Sequence, residues 1–442
     1  MPLWLILSSK LFLLKYSQKK HNFQLRAQIT DVFFFNIFAA MSESLSRQQL
    51  IDIAKEFGTP AYVYHAEKIK EQFNKLVSAF SALDTKFFYA CKALTNVNIL
   101  KYIDSIGGGI DCSSVNEVKL ALHAGVPAEK ILYTSNGISF EEIEEVASHR
   151  VHINIDSLSN LEKFGKKFGS SYPVGVRIRP NILAGGNLKI STGHEKSKFG
   201  IPVDLLGDLL TVVEKYKIKI QTLHIHTGSD IKDADVFVQG IKVLTEIVPH
   251  FPDLEIIDLG GGFKVPYEPD DEETDIGLIA KKLQKFLDSH LAGKKYQLWF
   301  EPGKYLVSEC GYLITQVNVV KDNNHQVFVG VDSGLNHLIR PMMYDAYHHI
   351  VNISNPDAQE KSYNVTGYIC ETDTFASDRL LHEVREGDYL VFYNAGAYGF
   401  EMSSNYNSRY KPAEVMVKDG KASLIRRRDE FEDLLKNQVK VF

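Results

Sequence analysis

Residues 109–135 read GIDCSSVNEVKLALHAGVPAEKILYTS, and this stretch decides the fold. A short β-rich run, GIDCS, is followed by a segment of helical period, VNEVKLALHAG, and then by a second β-rich run, ILYTS. Ser114 stands just before the helical residues with Glu117 three positions on, which is the spacing of a capping box. The unit is strand, helix, strand, and the same rhythm extends in both directions. The strands read FFYAC (87–91), GIDCS (109–113), ILYTS (131–135), HINID (152–156), VGVRIR (174–179), TLHIHT (222–227), EIIDLG (255–260) and LWFEP (298–302). Strands alternating with helices predict parallel βαβ units. Eight of them predict a closed (β/α)8 TIM-type barrel over 66–305. The open doubly wound sheet is the alternative, and the first strand lacks the G-x-G-x-x-G that such a sheet often carries.

After about residue 305 the texture changes. Runs such as YLITQVNVV, QVFVGVD, DYLVFYNAG and AEVMVKDG follow one another with little helix between them, which predicts an all-β domain over 306–442. The segment 41–65 holds a helix start, SESLSRQQLIDIAKEFG, and a strand, TPAYVYH, expected to pack with the β domain or the barrel. Residues 1–40 are set apart from the fold. Residues 1–30 hold five basic residues and no acid, and no apolar run reaches the length of a membrane span. They read as an upstream extension before a start at Met41, with a transit peptide as the alternative.

Composition narrows the function classes. Hydrophobic residues make up 44% and charged residues 24% of 442, an ordinary globular balance. A net charge of −5 offers no basic field for nucleic acid. The four cysteines, Cys91, Cys112, Cys310 and Cys370, form no CxxC pair, so the expectation is a reduced cytoplasmic protein with no structural metal.

In a barrel, chemistry gathers where strands end at their C-terminal rim. Lys92 follows the first strand, behind Phe87-Phe88-Tyr89-Ala90-Cys91. Alone it reads either as an ordinary strand-end charge or as an amine whose pKa burial lowers, making it a nucleophile. Gly260-Gly261-Gly262 ends the seventh strand, as a tight turn or as a phosphate cradle with Ser229 adding a hydroxyl. Glu301 sits in an apolar strand, as half of a buried ion pair or facing a heterocyclic nitrogen. His224 and His226 alternate with Ile225 and point to one face, and His226 reads as a core histidine or as a platform for a flat ring. No third ligand at a suggestive spacing turns that pair into a zinc site. An amine, a phosphate cradle, a ring platform and a carboxylate together make a pyridoxal phosphate site.

The chain resembles the fold-type III pyridoxal phosphate decarboxylases over about residues 50–430. The matching pieces are YACKA with Lys92, RIRP…TGHEKSKFGI (177–201), HIHTGSD (224–230), DLGGGF (258–263), EPGKYLV (301–307), LIRPMMYDAYHHI (338–350), CETD (370–373) and GAYGFEMSSNYNSR (396–409). SKFG, RPMMY and the last of these point to the diaminopimelate branch. The resemblance implies that Lys92 holds pyridoxal 5'-phosphate as a Schiff base, that His226 stacks on the ring and that Glu301 pairs with the ring nitrogen. Ser229, Gly261, Gly262 and Tyr398 would hold the phosphate. Cys370 would protonate the α-carbon, Glu371 would read the distal amino group, and Arg340 and Tyr344 would hold the distal carboxylate, with Tyr398 also lining the substrate. Cys370 and Glu371 would act in the partner's site, so a homodimer with shared active sites is implied.

Two departures stand out. Lys304 replaces the arginine of the common EPGR and keeps its charge, toward substrate carboxylate or phosphate, without the bidentate fork. The stretch CETDTFASDR is one residue shorter than the usual loop after the Cys-Glu pair. The expected reaction is decarboxylation of meso-2,6-diaminopimelate to L-lysine, the last step of lysine biosynthesis. The alternatives are a relative acting on ornithine, arginine or carboxynorspermidine, a racemase of the same barrel class, or a non-enzymatic relative. Racemases use a tyrosine where this chain offers Cys370, and a non-enzymatic relative is expected to lack Lys92 or Cys370.

Overall fold

The computed structural model describes residues 44–182, 193–291 and 294–442. The expectation for residues 1–40, and residues 183–192 of the 177–201 match, lie outside the described residues. The chain enters through helix α1 (Arg47–Phe57), whose Ser46 cap and Gln49 side chain satisfy each other's backbone N–H groups. Its buried face, Leu50, Ile53 and Ala54, follows helical spacing and packs on Val63, Tyr312 and Val415. Strand β1 (Ala61–His65) follows, buried throughout.

The barrel then runs α2 (Ala66–Ala79), β2 (Thr85–Ala90), α3 (Val97–Ser105), β3 (Gly109–Cys112), α4 (Val115–His123), β4 (Ile131–Thr134), α5 (Phe140–Ser148) and β5 (His152–Ile155). It continues α6 (Leu158–Phe168), β6 (Val174–Arg179), α7 (Leu206–Tyr216), β7 (Ile220–His224), α8 (Ala234–Ile247), β8 (Ile256–Asp258), α9 (Ile276–His290) and β9 (Gln297–Phe300). Each strand pairs in parallel with the next, and β9 closes on β2. The eight strands are those read from the sequence. Ser114 does cap α4 through the Glu117 N–H, but the Glu117 carboxylate takes the Ser113 N–H, one residue before the position a capping box requires.

Period-2 alternation builds the barrel interior in layers. Phe88, Leu132, Ile256 and Trp299 form an apolar base, with the His152 ring edge-on to Trp299 at 4.7 Å. Two residues further along four of these strands stand Thr134, Asn154, Asp258 and Glu301. Polar groups therefore lie directly above the dry base. Gly175 on β6 makes room there, since a Cβ would fall 1.9 Å from Asn154 Oδ1.

The second sheet holds β10 (Gly311–Asp322), β11 (Val327–Val331), β12 (Ile350–Asn352), β13 (Glu360–Thr366), β14 (Thr374–His382), β15 (Tyr389–Phe392), β16 (Ala413–Lys418) and β17 (Lys421–Arg426). Its order is β14-β13-β11-β10-β1-β16-β17, with β15 bridging β10 and β12. Strand β1 lies antiparallel to β10 and parallel to β16, so this N-terminal strand sits inside the sheet of the second half. Two short helices interrupt the β texture, α10 (Lys304–Val307) and α11 (Arg340–Tyr344). In α11, Pro341 occupies the first turn, where a missing N–H costs nothing. Among the described residues no helix is long and apolar enough to cross a membrane.

Candidate active site

Lys92 sits in a single 3-10 turn, Cys91–Ala93, directly after β2. Cys91 and Ala93 are fully buried, while the Lys92 side chain is 45% exposed into the barrel mouth. Its Nζ donates to Asp111 Oδ2 at 3.3 Å. The expectation that burial lowers this pKa is corrected. Burial does act downward, but Asp111, Tyr398, Glu301 and Glu117 outweigh it and hold the ammonium well above its ordinary value. Asp111 ends β3, and burial together with the nearby Glu301 pushes it up to about 8. Spacing along the chain gave no sign of this partner, because it comes from the neighbouring strand.

Glu301 follows β9 and is buried. Its Oε1 lies 3.3 Å from His224 Nε2 and accepts from Thr134 Oγ1 at 3.5 Å, and Thr134 is held by Asn154 Nδ2 at 3.1 Å. Burial pushes its carboxyl up, yet His224, Lys92 and His226 overcome this and leave it below the usual carboxylate range. Asp258, close by, is pushed well up by burial and by Glu301. His224, Asp258 and Glu301 bring ligand atoms within 4.8 Å of one another. The sequence offered no third ligand at a suggestive spacing beside His224 and His226, and His226 is not a member of this group. The carboxylates arrive from other strands, which local spacing does not reveal.

His226 lies two residues past the end of β7, so the predicted strand was too long at this end. Its Nδ1 accepts the Gly261 N–H at 3.2 Å, which fixes the ring. Burial, with the charge of Arg177, brings its pKa down to about 3, so the ring is neutral. The glycine triplet has no space for side chains. A Cβ on Gly261 would meet the Glu301 carbonyl oxygen at 2.3 Å, and one on Gly262, at φ 109°, would meet the Gly228 carbonyl oxygen at 2.4 Å. Ile231 donates to the Gly262 carbonyl at 2.9 Å, stapling the Ser229 turn to the triplet. Lys304 pairs with Asp230 in that same turn.

The second sheet reaches the same mouth. Tyr398 takes φ 55°, a left-handed conformation costly for a tyrosine, and its N–H donates to the Ala93 carbonyl at 2.8 Å. Its phenol is near enough to feel the charges of both Lys92 and Arg340. Arg340 is 8% exposed, with its Nε lacking an aligned partner among the described residues. Its guanidinium lies 5.2 Å from the Tyr267 ring centroid, and Tyr267 is anchored through its hydroxyl to Ser308 Oγ at 2.9 Å. Tyr267 was not singled out by the sequence reading. Tyr344 ends α11, half-buried.

Cys370 and Glu371 form a separate group. Cys370 is the exposed cysteine of the four; Asn407 holds its Sγ at 3.2 Å and its N–H at 3.1 Å. Tyr406 donates to Glu371. Asn407 and Ser408 take φ 54° and 56°, so a tight NYNS turn aims these side chains. The loop around the Cys-Glu pair is closed by Asp373, which accepts the Leu335 N–H at 2.7 Å and the Ile369 N–H at 3.1 Å. No hydrogen bond or ion pair among the described residues joins Cys370 or Glu371 to Lys92 or Glu301 within the single chain.

Comparison with known proteins agrees with this geometry. Residues 66–308 match the family described as pyridoxal-dependent decarboxylase, pyridoxal binding domain. The diaminopimelate decarboxylase of Methanothermobacter thermautotrophicus is 38% identical over 400 residues, 88% of this chain and 93% of that one. That of Aquifex aeolicus is 34% identical over 402 residues, 89% and 94% of the two chains. The crystal structure of the Helicobacter pylori diaminopimelate decarboxylase complexed with L-lysine superposes with a TM-score of 0.81 at 32% identity, covering 87% of this chain and 98% of that one. A lysine/ornithine decarboxylase from Vibrio vulnificus shares the fold at 20% identity and a TM-score of 0.75. By its pyridoxal-binding barrel and by likeness along most of its length, the chain belongs to the diaminopimelate decarboxylase family of pyridoxal-dependent decarboxylases.

Proposed function

We propose the following assignment of residues to the family's reaction, in which meso-2,6-diaminopimelate loses carbon dioxide to give L-lysine. The observation that carries it is the meeting of Lys92, Glu301 and neutral His226 at one barrel mouth with Tyr398 and with Arg340, whose Nε has no aligned partner among the described residues, from the second half of the chain. These residues fit pyridoxal phosphate: an exposed amine, an ionised buried carboxylate, an uncharged flat ring and a backbone turn with no space for side chains. When bound, the cofactor supplies an electron sink for the pair released as the carbon–carbon bond breaks.

Lys92, once its amine has shed its proton, would hold the cofactor at its aldehyde carbon until the substrate amine takes that place. Glu301 faces the ring nitrogen as an anion. His226, neutral and locked by Gly261, presents its ring face. Gly261, Gly262, Ser229 and Tyr398 receive the phosphate. Lys304, paired with Asp230, steadies the Ser229 turn, and it reaches a substrate carboxylate only by sharing that charge. Arg340 and Tyr344 take the distal carboxylate, with Tyr398 alongside, and Glu371 takes the distal ammonium, so the second centre must be a zwitterion. Cys370 delivers the proton to the α-carbon; its thiol is exposed and is held by Asn407. A donor that must remain a thiol supports a reducing compartment, the cytoplasm. The outward placement of Cys370 and Glu371 supports their acting in a partner's site, in a homodimer.

Carbon dioxide release from diaminopimelate, ornithine and arginine, measured side by side, should be confined to diaminopimelate. Cys370→Ala should lower kcat by roughly 10²–10⁴-fold, the range of general acid catalysis, while cofactor absorbance persists. Mixing Lys92→Ala with Cys370→Ala should restore up to about a quarter of the wild-type rate, because half of the redistributed dimers carry one intact shared site. No recovery on mixing would remove the shared-site assignment.

A further inference from the structure

His224 has surroundings that the assigned roles leave unexplained. It closes β7 with its ring fully buried inside the barrel. Parallel pairing sets it in one row with Arg177 on β6 and Asp258 on β8. Its Nε2 is 3.3 Å from Glu301 Oε1. Among the described residues, neither of its ring nitrogens nor Asp258 Oδ2 has an aligned hydrogen-bond partner. Burying an unsatisfied imidazole is costly, and a core that needed only volume would be better filled by a leucine or phenylalanine.

We propose that His224 is a positioning residue for Glu301: by direct contact from beneath, with Asp258 beside it, it makes Glu301 the member of the buried acid group that carries the charge. The inference rests on the reading of Glu301 as partner of the cofactor's ring nitrogen. Asp111, Asp258 and Glu301 are buried and close enough to feel one another's charge, and three such carboxylates cannot all ionise. The groups facing Glu301 decide which does. Thr134 approaches at 3.5 Å from β4, Lys92 and His226 stand at the rim, Arg177 lies across on β6, and His224 at 3.3 Å is the nitrogen placed against the carboxylate. Asp258 Oδ1 accepts the Gly260 N–H at 2.9 Å, which holds Asp258 in place beside His224. A neutral His224 carrying its proton on Nε2 donates toward Glu301 without adding a charge to the layer. That agrees with burial lowering its basicity even though Glu301 acts the other way.

The test uses the holoenzyme in three forms. His224→Gln keeps an amide donor at the reach of Nε2; His224→Asn withdraws it while staying polar; His224→Leu removes it. The absorption band of the bound cofactor, the cofactor dissociation constant and the kcat and KM for diaminopimelate are measured for each. For His224→Asn and His224→Leu the expected result is a shifted band and a kcat lower by roughly tenfold for each unit by which the acidity of Glu301 moves, with KM unchanged. His224→Gln should keep the wild-type band and most of the rate. Should His224→Leu fail to fold, the Gln and Asn pair carries the comparison. An unshifted band in His224→Asn, or a loss confined to KM, overturns the proposal. So does a stoichiometric metal in the wild-type holoenzyme that His224→Asn lacks. Glu301→Gln separates the two readings: if its band equals wild type, the assignment of Glu301 is at fault, and if its band shifts while that of His224→Asn does not, only the role of His224 falls.

Discussion

The proton on Lys92 is the first quantity the site has to manage. Cofactor loading needs the free amine. Asp111, pushed up to about 8 by burial and by Glu301, is uncharged below that pH and becomes an anion above it. Once charged, it holds the Lys92 proton 3.3 Å away. Loading of apoenzyme should therefore quicken with rising pH and flatten near 8, while Asp111→Asn, with no charge to gain, should keep quickening beyond it. Absorbance stopped-flow across the range checks this, and a wild-type rate still climbing steeply above pH 9 would contradict it. The position of Lys92 was legible from its strand, but its charge state was not. Asp111 is 19 residues away in sequence, and which strand neighbours which becomes definite only when the barrel closes. Asp258, Tyr267 and Asn407 escaped notice for the same reason, since each owes its place to a tertiary contact and not to a local pattern.

At the scale of elements, the glycine turn after β8 has little freedom. Gly261→Ala would set a methyl 2.3 Å from the Glu301 carbonyl oxygen, and a backbone atom cannot swing aside as a flexible side chain can. The cost should be about 1–3 kcal/mol, as for other overpacked sites, read as a lower unfolding midpoint of the apoenzyme. Cofactor affinity should fall with it, because the turn and the carbonyl of Glu301 move together. An Ala variant with unchanged midpoint and affinity would show that the turn yields freely. The strands were read well because each has two buried faces and reads as a continuous β-rich run. Their ends were read less well. His226 falls beyond β7 because it turns to meet Gly261, and Glu117 reaches Ser113 and not Ser114.

Across the whole molecule, the two halves are joined by buried polar bonds. Glu414 on β16 is fully buried and accepts from Tyr64 of β1 at 2.8 Å and from Asn96, the cap of α3, at 3.0 Å, and it also pairs with Arg426 of β17. Glu414→Ala leaves these donors without their acceptor, so a loss of about 3–5 kcal/mol is expected in thermal or denaturant unfolding. A loss within experimental scatter of zero would mean that solvent replaces the carboxylate. The barrel followed by a β domain was legible from texture alone. That β1 crosses into the second sheet was not, because a short apolar strand carries no mark of its partner.

The turn beyond Lys92 is held from within the barrel by Tyr89, which donates to the Leu94 carbonyl, and by Thr95, which donates to the Cys91 carbonyl, and it is also gripped by the later half of the chain. Tyr398 donates to Ala93, Glu401 accepts the Thr95 N–H at 2.7 Å, and Glu414 holds Asn96. A chain whose barrel has closed, but whose last hundred residues have not docked, carries its reactive amine on a turn that lacks three of its holds. Capture of the cofactor should therefore strengthen once the second half has docked, so that colour reports on completed assembly.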